Sequence, residues 1–255
     1  MEFCVLGSGS RGNSVLIESE KTSILLDCGF SGKEIASRLK AIGKDIEKLD
    51  AIFVTHEHND HIGGVGVVSR RCRIPVFANA GTFRAGVSKL GKVFKACEFA
   101  SGDRVEFQDL EIKSFSISHD TRDPVGYVIG NNAFRIGLCT DTGKISHLMK
   151  QRLKGVNGLI LEFNHDLEML ARGPYPLALQ QRVKSSQGHL ANGDAAALLA
   201  ELMHEGLSHV VLAHLSEINN LPQLARQEAL AAVSNEDASK IVLARQDGPT
   251  RIFSL

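Results

Sequence analysis

Residues 56–61 place His56, His58, Asp60 and His61 within six positions. Imidazole nitrogen and carboxylate oxygen are the ligand types that zinc and related divalent ions prefer. His56 and His58 are two apart, so an extended segment projects both rings to the same side. A turn at Asp60 and His61 aims the second pair at a neighbouring point, and the four groups together suit two cations. Two such ions lower the pKa of a shared water from about 15.7 to about 7 and give hydroxide at neutral pH, which suits hydrolysis of a phosphodiester.

The elements that must position these groups can be read around them. The short apolar run Ala51–Val54 reads as a buried strand that ends on the cluster. Gly63-Gly64 and the apolar Val65–Val68 predict a helix whose first turn can approach the metals closely. Later strands end in the same way: residues 110–118 run into His119, 134–138 run into Asp141, and 210–212 run into His214. Ligand types at the C-terminal ends of successive strands predict a site along one rim of a sheet. Further strands are predicted at 3–6, 14–18, 24–26, 75–78, 103–107, 127–129, 158–162 and 241–244. Helices are predicted from a Ser31 cap to about Ile42, over 82–90, 145–153, 176–184 and 194–203, and after Pro222. Two strand-rich halves joined near residue 140 predict an α/β fold, a two-sheet sandwich with outer helices. The loop Gly7–Asn13, with three glycines and the hydroxyls of Ser8 and Ser10, is a candidate anion nest.

The 255 residues are 43% hydrophobic with six scattered prolines, which predicts one domain over 1–255. No apolar run approaches the roughly 18–20 residues of a membrane span. The N-terminus lacks a basic flank, and the five cysteines are odd in number with no Cys-x-x-Cys pair. Both features predict a cytoplasmic protein with reduced thiols. Net charge is zero, which excludes a polycation. Arg70, Arg71, Arg73, Arg84, Lys89, Lys92 and Lys95 nevertheless follow one another with no acid between 62 and 97, a candidate track for a polyanion, together with Arg182 and Lys184.

The pattern His56-x-His58-x-Asp60-His61 resembles the first metal motif of the metallo-β-lactamase superfamily. Gly7-Ser8-Gly9-Ser10 with Asn13-Ser14, Glu162-x-Asn164-His165-Asp166, Gly173-Pro174-Tyr175-Pro176, Gly188-His189-Leu190-Ala191-Asn192 and Ala213-His214-Leu215-Ser216 with Asn219-Asn220 more particularly resemble the YycJ/WalJ (VicX) family. The likeness runs from the first strand to about Asn220. Ala191 departs from it, where a serine is expected. The resemblance implies a four-layer αββα sandwich of two mixed sheets. It implies two divalent ions, zinc or manganese, one on His56, His58 and His119 and one on Asp60, His61 and His214, with Asp141 bridging. It further implies a cytoplasmic nuclease acting 5′-to-3′ on double-stranded DNA.

Within that frame Asp60 also orients the nucleophile and His189 is the candidate acid for the leaving oxygen. Ser8, Ser10, Asn13, Asn164 and His165 are candidate substrate-binding residues, with His165 equally a support behind the ligands, and Asp27 a support behind the ligands or a structural residue. A phosphodiesterase for small cyclic nucleotides has the same metal chemistry and is the alternative. A metal-binding regulatory partner of a signalling system is a third reading.

Overall fold

Strand pairing divides the chain at Ser101–Gly102, not near residue 140. The computed structural model describes residues 1–255. Strands β1 (Glu2–Gly7), β2 (Ser14–Glu18), β3 (Ser23–Leu26), β4 (Ala51–Phe53), β5 (Pro75–Asn79) and β6 (Lys95–Phe99) form one sheet with the last strand, β14 (Phe253–Ser254), in the order β14-β1-β2-β3-β4-β5-β6. The second sheet holds β7 (Arg104–Phe107), β8 (Leu110–Ser116), β9 (Val125–Gly130), β10 (Arg135–Cys139), β11 (Gly158–Glu162), β12 (His209–Ala213) and β13 (Ile241–Leu243), in reverse chain order. The strands from 104 to 139 were expected with the first half but pair only with the second. Sheet membership follows which apolar faces meet in three dimensions, and chain spacing does not record that. β14 was not expected at all. It pairs Phe253 with Phe3, whose rings stack 4.9 Å apart.

The facing sheets share a core that includes Phe3, Val5, Phe53, Ile112, Tyr127 and Val211. Alternate residues of the same strands point outward and meet the helices. On the first sheet these are α1 (Gly32–Ala41), α2 (Asn59–Ile62), α3 (Val65–Cys72) and α4 (Ala80–Leu90), contributing Ile35, Leu39, Ile62, Val65, Val68 and Leu90. On the second, α5 (His147–Leu153), α8 (Asn192–Leu202) and α9 (Pro222–Ala231) cover Leu159, Leu161, Val210 and Leu212. The result is the expected αββα sandwich. Two more helices, α6 (Leu167–Arg172) and α7 (Leu177–Lys184), connect β11 to α8, and α7 buries none of its residues.

Strands β3, β4, β5 and β6 run parallel. So do β10, β11, β12 and β13. β8 shares their direction because it and β10 are both antiparallel to β9. The same logic gives β1 the direction of β3. All of these strands therefore end at one rim.

The direction of the chain also decides what the cationic stretch can reach. α3 leaves the rim, and its eight residues carry it about 12 Å away at 1.5 Å per residue. Arg70 and Arg71 sit in its last turn, and Lys95 pairs with Pro75 at the start of β5. Arg70, Arg71, Arg73, Lys92 and Lys95 thus gather at the end of the sheet opposite the rim. There Arg71 pairs with Glu47 at 2.9 Å and Arg70 donates to the Lys92 carbonyl. Only Arg84, near the start of α4, lies at the rim end, in a groove with Asn79, Arg122 and Asp123. The expected polyanion track along 62–97 is corrected accordingly.

Candidate metal centre

On the first sheet, Asp27 stands just past β3 with φ of 57°. Its carboxylate accepts from the Thr55 N–H and hydroxyl, each at 2.8 Å, and from His61 Nδ1 at 2.7 Å. The Thr55 hydroxyl also lies 2.9 Å from His56 Nδ1. With both Nδ1 atoms occupied, His56 and His61 present Nε2 to the interior. Asp27 is the structural residue expected.

The second sheet supplies a carboxylate that had been given no role. Glu162, the last residue of β11, is completely buried. One oxygen accepts from the Asp141 N–H at 3.1 Å, His189 Nδ1 at 2.8 Å and His214 Nδ1 at 3.0 Å; the other accepts from the N–H groups of Thr142 and Leu190. Asp141 and His214, like Asp27, take left-handed backbone angles, φ of 59° and 55°. These tight turns reverse the chain at the rim and face the side chains inward. His119 donates Nδ1–H towards the Gln187 and Gly188 carbonyls, which leaves its Nε2 3.2 Å from His58 Nδ1.

The ligand atoms of His56, His58 and His119 converge within 4.8 Å of one another, as do those of Asp60, His61 and His214. Asp141 lies between the groups. One of its oxygens is 3.3 Å from His61 Nε2, and the other is 3.8 Å from His119 Nε2. All seven residues proposed from the sequence are therefore brought together. His56 Nε2, His214 Nε2 and one Asp141 oxygen are buried with no hydrogen-bond partner. Buried polar atoms normally have one, and leaving them without costs about 1–3 kcal/mol each. Cations between the groups satisfy all three, so the residues fit a metal centre.

The electrostatics agree. Burial opposes a charge on His214, but Asp141, Asp60 and Glu162 outweigh it and carry its pKa to about 10. Burial likewise works against Asp60, yet His61 and His214 hold its carboxyl below the usual range. Burial and the neighbouring imidazoles push His56 well down. The carboxylates favour protons on His61 and His214, and a cation must displace them.

The beta-lactamase superfamily domain matches residues 22–215. The exodeoxyribonuclease YycJ of Bacillus anthracis is 40% identical over 228 residues, covering 89% of this chain and 86% of that protein. This chain belongs to the YycJ/WalJ family. The exodeoxyribonuclease WalJ of Streptococcus pneumoniae is 38% identical over 240 residues, covering 92% of this chain and 89% of the relative. Among solved structures, the metallo-β-lactamase fold protein YhfI of Bacillus subtilis superposes with a TM-score of 0.77 at 18% identity over 99% of both chains. That likeness is one of fold.

In this YycJ/WalJ-family chain the centre opens into a cavity of about 240 Å³. Of the residues expected to contact substrate, Ser10, Asn164 and His189 line it, and Ser8, Asn13 and His165 do not. The buried Ser8 hydroxyl donates to Asn13 and accepts from the His214 N–H. Asn13 reaches Asp60 and His61 at 3.1 Å, so both brace the ligands from behind. The Gly7–Asn13 loop is not an open anion nest. The N–H groups of Ser8, Gly9, Arg11, Gly12 and Asn13 all have partners within the protein. His165 is 1% exposed, burial lowers its pKa to about 4, and its backbone bridges to Ala191.

Ala191 is the N-cap of α8 and makes no capping bond there. The serine expected at that position would cap the helix, so the departure bears on α8 and leaves the ligands alone. Arg182 also faces the cavity and pairs with Asp120 at 2.5 Å. Asp120 in turn lies 3.7 Å from His58. Tyr175 completes the wall. It lay in a recognised motif but had been assigned no chemistry.

Proposed function

We propose that this protein is a metal-dependent phosphodiesterase that removes nucleotides from the ends of double-stranded DNA in the 5′-to-3′ direction. The observation that carries this reading is the convergence of seven ligands, three with buried atoms that lack any partner, in a chain similar over nine-tenths of its length to an exodeoxyribonuclease. His56, His58 and His119 would hold one divalent ion, zinc or manganese, and Asp60, His61 and His214 a second, with Asp141 shared. When bound, the ions supply an acidified water and charge neutralisation at the phosphate.

The chain supplies the rest. Asp60 is the most exposed ligand carboxylate, at 21%, and its outward side can orient the attacking water. Because Glu162 takes Nδ1–H of His189, the Nε2 of that ring is left as the proton carrier in the cavity. From there it can protonate the departing oxygen. Ser10 and Asn164, which line the cavity, would face the phosphate, and Arg182 on the same lining would meet the next phosphate along the strand. Phosphate contacts carry no base information, so sequence preference is expected to be slight.

The test is incubation with duplex DNA labelled at the 5′ end, and separately with cyclic nucleotides, in Mn²⁺ and in Zn²⁺. Early release of the labelled mononucleotide, with cyclic nucleotides untouched, is expected. Turnover of cyclic nucleotides alone would replace this reading with the small-molecule one. Elemental analysis should find two metals per chain, both lost or weakened in Asp141→Ala.

A further inference from the structure

The lining of the cavity beside the metal centre is of two kinds. The part described so far is made of ligands and polar groups. Tyr175, Val183, Leu215 and Ile218 also line it. Hydrolysis of a phosphodiester requires nothing from such side chains. A cavity that holds them together with the metal ligands fits a flat apolar group attached to the phosphate being cut.

Tyr175 is fixed for such a contact. It stands between Pro174 and Pro176, whose rings restrict the backbone on either side. Its carbonyl accepts from Gln180 Nε2 at 2.9 Å, and Pro176 is the N-cap of α7. On the other flank, a Cβ on Gly173 would stand 2.7 Å from both the Asn219 side chain and the Met169 carbonyl. That position must stay glycine for the strap to lie this close to residues 216–219. The backbone that carries the ring is thus held beside the cavity, so a ligand that stacks on it restricts only the side-chain torsions.

Size narrows the ligand. At about 240 Å³ the cavity falls below the roughly 300–1,000 Å³ of drug-sized ligand pockets. It has room for one base and not for a base pair. From this we infer that Tyr175 receives the terminal base of the substrate strand, separated from its complement, and stacks on it while the adjoining phosphate meets the metal centre. Tyr175 is then a specificity-determining residue, and the stacking site is what makes cleavage begin at an end. Base–aromatic stacking tolerates every base, in keeping with slight sequence preference.

The inference rests on the nuclease reading, and the experiment separates the two. Wild-type protein is first assayed on a duplex with an ordinary end, where nucleotide release establishes the nuclease. The same duplex with an abasic terminal nucleotide should then raise KM roughly 5- to 100-fold, with kcat little changed because the contact exists before and during reaction. Tyr175→Ala on the ordinary end should show a rise of the same size, and Tyr175→Phe should keep the wild-type KM. Tyr175→Ala on the abasic end should lose nothing further, since ring and base form one contact. Equal wild-type KM on the two ends overturns the stacking site without use of any variant. Losses that multiply between variant and abasic end overturn it as well. No release from any duplex by wild-type protein removes the nuclease reading and this inference with it.

Discussion

Two buried carboxylates, one on each sheet, organise the centre, and they do different work. Asp27, past the end of β3, accepts only from Thr55 and His61, and His61 has no exposed surface. Glu162, at the end of β11, fixes three backbone N–H groups, the ligand His214 and also His189. Asp141, His214 and His189 all line the cavity, but among the histidines tied to these carboxylates only His189 has a substantial exposed part, 21% of its side chain against 5% for His214 and none for His61. The first-sheet side is a closed frame for metal. The second-sheet side is a frame with one partly exposed ring attached, so under the proposed mechanism protonation of the leaving oxygen would belong to that half.

Breaking this difference should show first at His189. His189→Ala is expected to keep both metals and cleave DNA roughly 10²–10⁴-fold more slowly. Its deficit should nearly vanish on bis-p-nitrophenyl phosphate, whose leaving group needs no proton. An equal slowdown on both substrates, measured with metal content and Tm checked, would remove the ring from proton transfer. The supporting carboxylates come next. Asp27→Asn and Glu162→Gln should each weaken metal affinity roughly 10–100-fold. Added metal should restore Asp27→Asn to nearly full kcat and leave Glu162→Gln slow, because His189 has lost its partner. Complete recovery of both would make the two halves equivalent after all.

The smallest effect concerns cations. Arg182→Ala should lower the slope of log affinity for duplex against log salt by about one, the loss of one phosphate contact. The triple change of Arg70, Arg71 and Arg73 to Ala, at the far end of the sheet, should leave that slope unchanged. A drop with the triple variant would mean that DNA wraps to that end.

The His/Asp cluster was legible because its signal is local. A strand that ends in His or Asp announces a rim, and four such strands announce a shared one. Glu162 ends a strand too, but a single carboxylate after Gly-Leu-Ile-Leu carries no ligand spacing, and its partners are up to 52 residues away. The same limit explains the cations. Charge along 62–97 is plain in the sequence, yet whether a helix carries it towards the rim or away depends on which end of β4 faces the metals. The Gly7–Asn13 loop failed as a nest for a related reason. Three of its N–H groups bond to Asp60, Arg245 and Gln246, which are remote in the chain, and two more bond within the loop. Ser8 and Asn13, expected to contact substrate, lie instead on the inner side of the centre.

The left-handed turns at Asp27, Asp141 and His214 reach beyond catalysis to how the protein could be redesigned. Apart from glycine, Asn, Asp and His are the residues that most readily enter that backbone region, and Asp and His are also the residues that bind metal. A saturation library at Asp141 and His214 would therefore be winnowed twice, once by the chain and once by the ion, whereas Asp27 answers to the chain and to its contact with His61. At Asp141 and His214, glycine and asparagine survive the first selection and fail the second. β-Branched residues fail at the first. Few replacements pass both, so new activities on this scaffold are better sought in the cavity wall, where the backbone sets no such condition.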